Sequence, residues 1–401
     1  MCLGRCEQLW DALCGAGLRR YHRALELKPV STGLTMSPPE AIATQTAPRR
    51  VLIVLLGAIG DVVRALPLLG RMRNAWPDAH IAWAVEPKSK AVLEHHPWLD
   101  EIIVYDLAQI RSFAGRVELG ARLRASHFDL WFDLTLDRAK FSRMLRDMII
   151  ARLLGVRWAC GWRLEHLGFA AGAEAEVKEF PDEVERLAAM LRARGITEDA
   201  TTFPSLADDS QDESMLRELN INGRYLMAIA PGARRLCNRW PSERFAAVAQ
   251  RLVSDGATIV LLGGVDDYST CEEIRPRVGH AINLAGNLSI RQSRAILRRC
   301  DLLVCVDSGP QHLAASVGTP CVAIFSQRNP RRRWYPHGNR HRVLEGAVPC
   351  HTCLLDVCPH DNLCMKQISA DEVVAAARAI LEMKTAALPS AQISEHQMVS
   401  P

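Results

Sequence analysis

The sequence predicts an α/β protein of two doubly wound halves, each a mostly parallel sheet with helices on both faces. Three observations carry this. Short apolar runs of strand length alternate with stretches of helical spacing from Val51 onward, and that alternation implies parallel βαβ units. The pattern appears twice, from Val51 to Leu134 and again from Tyr225 to Phe325, on either side of a polar connection. At several strand ends a glycine-containing turn leads straight into a helix, and ligands of open parallel sheets bind at that edge.

Composition sets the bounds. The chain has 401 residues, 48% hydrophobic and 23% charged, with room for two domains and the balance of a soluble globular protein. A net charge of +4, spread along the chain, gives no reason to expect nucleic acid; it suits an anionic membrane surface or a phosphorylated substrate. No apolar run is long enough to cross a bilayer. The first residues lack an apolar signal core with a cleavage site, so a cytoplasmic location is expected.

Residues 1–49 are read as a flexible N-terminal extension. Leu9, Leu13 and Leu18 with Trp10, Arg19, Arg20 and Arg23 also fit a short basic amphipathic helix of the membrane-surface kind. The first domain spans 50–215. It opens with strand Val51–Leu56, the turn Gly57–Asp61, and a helix on Val62, Val63, Leu66, Leu69 and Met72 that Pro67 should kink. Ile81–Val85, Ile102–Tyr105 and Leu130–Leu134 are further strands. A helix over Val184–Ala193 and the acidic stretch Asp208–Glu213 lead to the second domain, 216–368.

That domain repeats the logic. Tyr225–Ala230, Thr258–Leu262 and Ala281–Leu284 are strands; Ser242 caps a helix through Leu252, and Ser289 starts one reaching Cys300. Strand Leu302–Val306 then runs into the turn Asp307–Gly309. The following helix begins at Pro310, which needs no partner for its nitrogen, and ends at Gly318 before strand Cys321–Phe325. A C-terminal helix occupies 369–384, with Val373, Val374, Ala377 and Ile380 on one face, and 385–401 form a flexible tail.

Several residues carry chemistry. The helix start at Ser308 and Gly309 favours an anion, commonly a diphosphate, or is an ordinary Ser N-cap. Asp61 stands at a strand's carboxyl end, placed either to act as a base in the cleft or to cap its own helix. Asp266 and Asp267 follow a Gly-Gly turn, where an acid can bind a ribose or simply favour the turn. Cys350, Cys353, Cys358 and Cys364 have the spacing C-x2-C-x4-C-x5-C within the Cys-rich segment 350–364. That spacing suits a structural zinc; reduced thiols are the other reading, since a cytosolic context disfavours disulfides. Arg331, Arg332 and Arg333 form a solvated basic loop or an anion contact.

Three stretches then make a specific pattern: VLIVLLGAIGDVVRALPLLGRMRNAWPDAHIAWAV, PGARRLCNRWPSERFAAVA and CVDSGPQHLAASVGTPCVAIF, in this order. Together they resemble the ADP-heptose:lipopolysaccharide heptosyltransferases, glycosyltransferase family 9, over Arg50–Met383. The resemblance implies a GT-B fold, two Rossmann-like domains facing a central cleft, with the nucleotide sugar mainly on the second. It implies inverting transfer of heptose from ADP-heptose to a lipopolysaccharide core or related glycolipid. No cofactor is then required for catalysis, and peripheral contact with the inner membrane fits.

Asp61 matches the family's proposed base; such a base contributes about 10²–10⁴ in rate. Asp307 and His312 match donor-pocket residues, and the Ser308 and Gly309 N–H groups suit the leaving diphosphate. Asn238 stands where some members carry a donor-contacting lysine. Arg239, or the pair Arg234 and Arg235, is expected to supply the charge, although a guanidinium is not a drop-in ammonium. Asp267 completes the expected donor set, and Trp240 is read as packing. Rival readings are another nucleotide sugar or acceptor on the same fold, and an NAD(P)-dependent oxidoreductase, which the missing three-glycine pattern at Gly57–Asp61 disfavours. A non-catalytic metal- or nucleotide-binding module is a third, and the intact Asp61 argues against it.

Overall fold

Two parallel sheets form the framework of the computed structural model, which describes residues 47–134, 141–161, 182–192, 195–196 and 223–386. The first contains β1 (Arg50–Val54), β2 (His80–Val85), β3 (Glu101–Val104), β4 (Leu130–Asp133) and β5 (Trp158–Cys160), in the order β3-β2-β1-β4-β5. The second contains β6 (Tyr225–Ala230), β7 (Ala257–Leu261), β8 (Ile282–Asn283), β9 (Leu302–Val306), β10 (Cys321–Phe325) and β11 (Arg342–Glu345), in the order β11-β10-β9-β6-β7-β8. Every pairing is parallel. Strands covered on both faces need apolar residues at every position, and β9 and β10 are buried throughout.

Each sheet reverses direction once, between β1 and β4 and between β6 and β9. Such a reversal opens a crevice at the strands' carboxyl ends. The turns after β1, β6 and β9 lie at these crevices, so the topology brings together Gly57–Asp61, Pro231–Asn238 and Asp307–Gly309.

In the first half the helices are α1 (Ile59–Ala65), α2 (Pro67–Ala75), α3 (Lys90–Leu93), α4 (Phe113–Ala125), α5 (Phe141–Leu153) and α6 (Glu183–Arg192). In the second they are α7 (Ser242–Ser254), α8 (Tyr268–Val278), α9 (Ile290–Arg299), α10 (Gly309–Ser316), α11 (Leu363–Lys366) and α12 (Ala370–Ala386). Two local readings change. Pro67 does not kink one helix but begins a second: Leu66, in helical conformation, closes α1 and opens α2 with Pro67 at its first position, where a missing N–H is harmless. Ser242 is the first helical residue, and Pro241 occupies the cap. Ser289 behaves as expected, its hydroxyl accepting the Gln292 N–H at 3.1 Å while Gln292 reaches back to the Ser289 N–H at 2.9 Å. Gly318 ends α10 with φ +79°, a conformation a Cβ would strain.

One apolar core runs through both halves. It joins Ile53, Val62, Leu69 and Trp83 of the first to Leu303 and Leu313 of the second. A second core lies between the β6–β11 sheet and α7, α8 and α12, where Val373, Val374, Ala377 and Ile380 are all buried. Among the described residues no helix is long and apolar enough to cross a membrane. The amphipathic segment around residues 9–23, the acidic stretch 208–213, the domain boundary at 215 and the tail from 387 lie outside the described residues.

Candidate active site

The first functional turn follows β1. Asp61 is the third residue of α1, half-buried, and its Oδ2 accepts the Ala58 N–H at 2.8 Å. The capping role is therefore real. It uses one oxygen, and a carboxylate has a second with its own acceptor sites. Burial raises the Asp61 pKa, opposed by the Ala58 hydrogen bond; the Glu183 charge raises it further, while Arg64 and Arg234 lower it. A carboxylate held above its ordinary range is a better proton acceptor at neutral pH.

The second turn follows β9. Ser308 holds the cap position of α10 in extended conformation, but its hydroxyl donates to Val306 O at 3.2 Å instead of capping. The first N–H groups of any helix lack intrahelical partners. Asp307, just before, is ringed by neutral amides. Its Oδ2 accepts from Asn329 Nδ2 at 3.0 Å and Asn238 Nδ2 at 3.2 Å, and its Oδ1 from Gln311 Nε2 at 3.1 Å. Burial pushes Asp307 up to about 6 against these hydrogen bonds and against the Arg64 and Arg328 charges.

His312 lies inside α10, buried, and burial holds it neutral well below the ordinary histidine range. Its Nε2 is 3.3 Å from Gln311 Nε2. The two hydrogens of that amide also have Asp307 Oδ1 at 3.1 Å and Trp334 O at 3.2 Å as acceptors, and the His312 Nδ1 is buried without a hydrogen-bond partner. The Gln311 Oε1 is likewise unpartnered. Two buried polar atoms with no partner beside a helix start mark a place built to meet a polar ligand.

The two turns meet. α1 packs against α10, and a Cβ on Gly60 would stand 2.5 Å from the His312 ring. Glycine at 60 therefore sets how closely the two helix starts approach. Arg64, only 1% exposed, locks the junction: it donates to Asp182 at 2.5 Å, to Arg333 O at 2.7 Å and to Tyr335 O at 3.1 Å, and its guanidinium lies 5.2 Å from the Trp334 ring centre. Its charge acts on both Asp61 and Asp307.

The other expected residues divide. Asp267 accepts the Gly264 N–H at 2.9 Å and lies against Gly232, so it sits between the turns after β6 and β7. Asn238 is buried, accepts from Ser326 Oγ at 2.6 Å and turns its amide to Asp307; it shapes the carboxylate's setting. Arg239 spends its Nε on Ala233 O at 3.0 Å, and Arg235 pairs with Asp356. Arg234 is exposed, and its charge reaches Asp61. Trp240 packs, with Nε1 on Ile368 O at 3.1 Å and its ring edge-on to Phe245.

The readings of Arg333 and of a zinc at the cysteines need correction. Arg331 and Arg332 are exposed, as the solvated-loop reading expects, with Arg331 also paired to Glu345 at 3.2 Å; Arg333 departs from it, being buried and paired with Glu183 at 3.3 Å. Cys350 is exposed, Cys353 and Cys358 half-buried and Cys364 buried. Among the described residues no three His, Cys, Asp or Glu side chains gather as a metal site, so these cysteines do not fit a structural zinc. Hydrogen bonds hold the segment instead. Arg328 donates to Leu355 O at 2.7 Å and Leu354 O at 3.1 Å, and Cys237 Sγ to Leu355 O at 3.0 Å. The segment thereby braces the neighbours of Asn238.

Gln311, Asn329, Arg328, Arg64 and Asp182 were not anticipated. Arg64 alone had a signal, a charge amid the apolar residues Val62, Val63 and Leu66, because a buried charge needs a partner.

Comparison with known proteins bears on the family and the fold. Residues 116–364 match glycosyltransferase family 9 (heptosyltransferase). The chain is 25% identical over 340 residues to lipopolysaccharide heptosyltransferase 2 of Salmonella typhimurium, covering 77% of this chain and 95% of that one. The glycosyltransferase family 9 structure from Veillonella parvula superposes with a TM-score of 0.71 at 24% identity, over 84% of this chain and 98% of that one. The Escherichia coli ADP-heptose lipopolysaccharide heptosyltransferase II superposes with a TM-score of 0.65 at 21% identity, over 84% and 99%. The two-sheet architecture is the GT-B fold of these structures, and with the family match spanning more than half of its length, the chain belongs to glycosyltransferase family 9, the heptosyltransferases.

Proposed function

We propose that the protein transfers heptose from ADP-heptose to a lipopolysaccharide core or related glycolipid, inverting the anomeric centre without a catalytic metal. The observation that carries this is the meeting of Asp61 with the start of α10, brought about by the close contact of Gly60 and His312. The names of the relatives, for ADP-heptose and lipopolysaccharide, support the donor and the acceptor.

In this reading Asp61 takes the proton of the acceptor hydroxyl through the oxygen not used on Ala58. The acceptor oxygen bonds to the anomeric carbon from the face opposite the diphosphate, and the carbon–phosphate oxygen bond breaks as ADP leaves. The charge gathering on the diphosphate meets the N–H groups at Ser308 and Gly309, the His312 imidazole and the exposed Arg234. Fixed donors aimed at developing charge make such a step feasible without an ion. Asp307, Asn238 and Asp267 shape the donor side, with Asp267 placed for a ribose hydroxyl. A glycolipid acceptor puts the enzyme on the cytoplasmic face of the inner membrane as a peripheral protein.

The test is transfer by purified protein, with ADP-heptose and other nucleotide sugars, an extracted core acceptor and a chelator, products being read by mass spectrometry. Heptosylated core with the chelator present is the expected result. Exclusive use of another nucleotide sugar would replace the donor; Asn238 in place of lysine is the residue that favours that outcome. Dependence of a folded enzyme on added magnesium would overturn the mechanism.

A further inference from the structure

We propose that the outer faces of α4 and α5 form a docking surface for an anionic lipid bilayer. The proposal deepens the glycolipid reading by naming the surface that brings the enzyme to its acceptor. α5 leaves Leu145, Met148, Ile149 and Leu153 exposed at 45%, 48%, 50% and 69%. Their spacing of three, four and eight residues puts them on one face, while Asp147 and Ala151 are buried. The helix is amphipathic with its apolar stripe turned outward, the reverse of a helix that only covers a sheet. Phe113 at 76% and Val117 at 54%, one turn apart on α4, are a second exposed apolar pair. The two helices join at their C-terminal ends, where Arg124 donates to Leu153 O at 3.3 Å.

Charge identifies the occupant. By sequence α4 and α5 each carry a net +2; Arg122 is paired with Glu101 at 2.9 Å and Arg146 with Asp147 at 2.7 Å, so Arg116, Arg124 and Arg152 carry the charge beside the stripe. An apolar stripe flanked by arginines suits anionic headgroups over acyl chains. A second copy suits it poorly, because a two-fold interface sets a patch against itself and would oppose these positive helices. The topology supports the role. The connection between parallel strands β4 and β5 must run antiparallel to them, so α5 begins at the carboxyl edge on which Asp61 stands. The stripe thus leads from the bilayer toward the cleft.

The experiment is flotation of the full chain with phosphatidylcholine vesicles, with and without phosphatidylglycerol. The expected result is binding to the phosphatidylglycerol vesicles, weakened by salt. The double variants Ile149→Gln/Leu153→Gln and Arg116→Glu/Arg152→Glu should each lower it about tenfold or more. Both should keep the parental unfolding temperature and transfer to a delipidated core oligosaccharide. Absence of binding by the parent, or equal binding by the variants, overturns the proposal. So does a concentration-dependent dimer that the apolar variant abolishes, which assigns the face to a second copy. Strong hydrogen-exchange protection of α5 in the free protein also overturns it, because the chain itself would then cover the stripe. Vesicle binding needs no turnover, so a failed donor screen with intact flotation removes the glycosyl-transfer reading and leaves this one.

Discussion

Asp61 and Asp307 stand at matching places in the two halves, each at the carboxyl end of a strand beside its sheet's reversal and each next to a helix start. Their surroundings differ. Asp61 satisfies one oxygen on the backbone of its own turn, at Ala58, and its nearest charges come from Arg64, Arg234 and Glu183. Asp307 is held by three side-chain amides, from Asn238, Gln311 and Asn329. Backbone capping leaves a carboxylate an oxygen for chemistry, whereas a ring of amides fixes both oxygens and turns the group into a frame. One fold thus places the same functional group twice, with an oxygen left open in the first half, where the proposed mechanism puts the base, and with both oxygens held in the second.

The largest expected effect separates these roles. Asp61→Asn keeps an oxygen for Ala58, so fold and donor affinity should persist while turnover falls by about two orders of magnitude or more; steady-state kinetics beside donor calorimetry checks this. Asp61→Ala should lose the same turnover and also about 1 kcal/mol of stability with the cap. Undiminished turnover in Asp61→Asn would give Asp61 only the capping role. Next comes the spacing of the two helix starts. Gly60→Ala places a methyl against His312, and displacement of reacting groups by about 1 Å can cost about a hundredfold. Turnover should therefore fall about ten- to a hundredfold while circular dichroism stays unchanged.

The sequence made the strands legible for a physical reason: doubly covered strands must be apolar along their buried length, and β6, β9 and β10 are, as is β1 after Arg50. The short β5 and the less buried edge strand β11 gave no such run and were not anticipated. Asp61, Asp307 and His312 were legible because each sits in a motif. Their supports were not, since Arg64 finds its partners 118 and 269 residues away and local pattern carries no information at that range. The cysteine spacing misled because it counts residues along the chain, while the segment's path is set by Arg328 and Cys237, which leave Cys350 at the surface and Cys364 inside.

Arg64 ties the two carboxylates together and allows a finer test. Its positive charge lowers the Asp61 pKa, so removing it should raise that pKa and move the acid limb of kcat/KM to higher pH. Arg64→Met should shift the limb up by about 0.5–1 pH unit. Arg64→Lys, which retains the charge, should leave it near the parental position even if the lost guanidinium hydrogen bonds lower stability. Equal limbs in all three proteins would show that Arg64 serves the junction alone.

The smallest expected effect concerns Asp307 and is read in stability. Its carboxyl is pushed from 3.8 up to about 6 in the folded protein, so between those values the native state binds a proton that the unfolded chain releases. Stability then falls as pH rises through this window. The favourable contribution is fully present below about 4 and lost above about 6. Asp307→Asn removes the titration, and an uncharged amide has no such window. Relative to the parent it should gain stability as pH rises from 4 to 6 and hold that gain above 6, as a rise of about 1–2 °C in Tm. The gain is limited because one amide donor of the asparagine will face a neighbouring donor among Asn238, Gln311 and Asn329. Thermal unfolding of both proteins from pH 4 to 8, without nucleotide, is the measurement. A constant difference across that range would mean that Asp307 keeps its ordinary acidity and that its amide ring, not its burial, governs its charge.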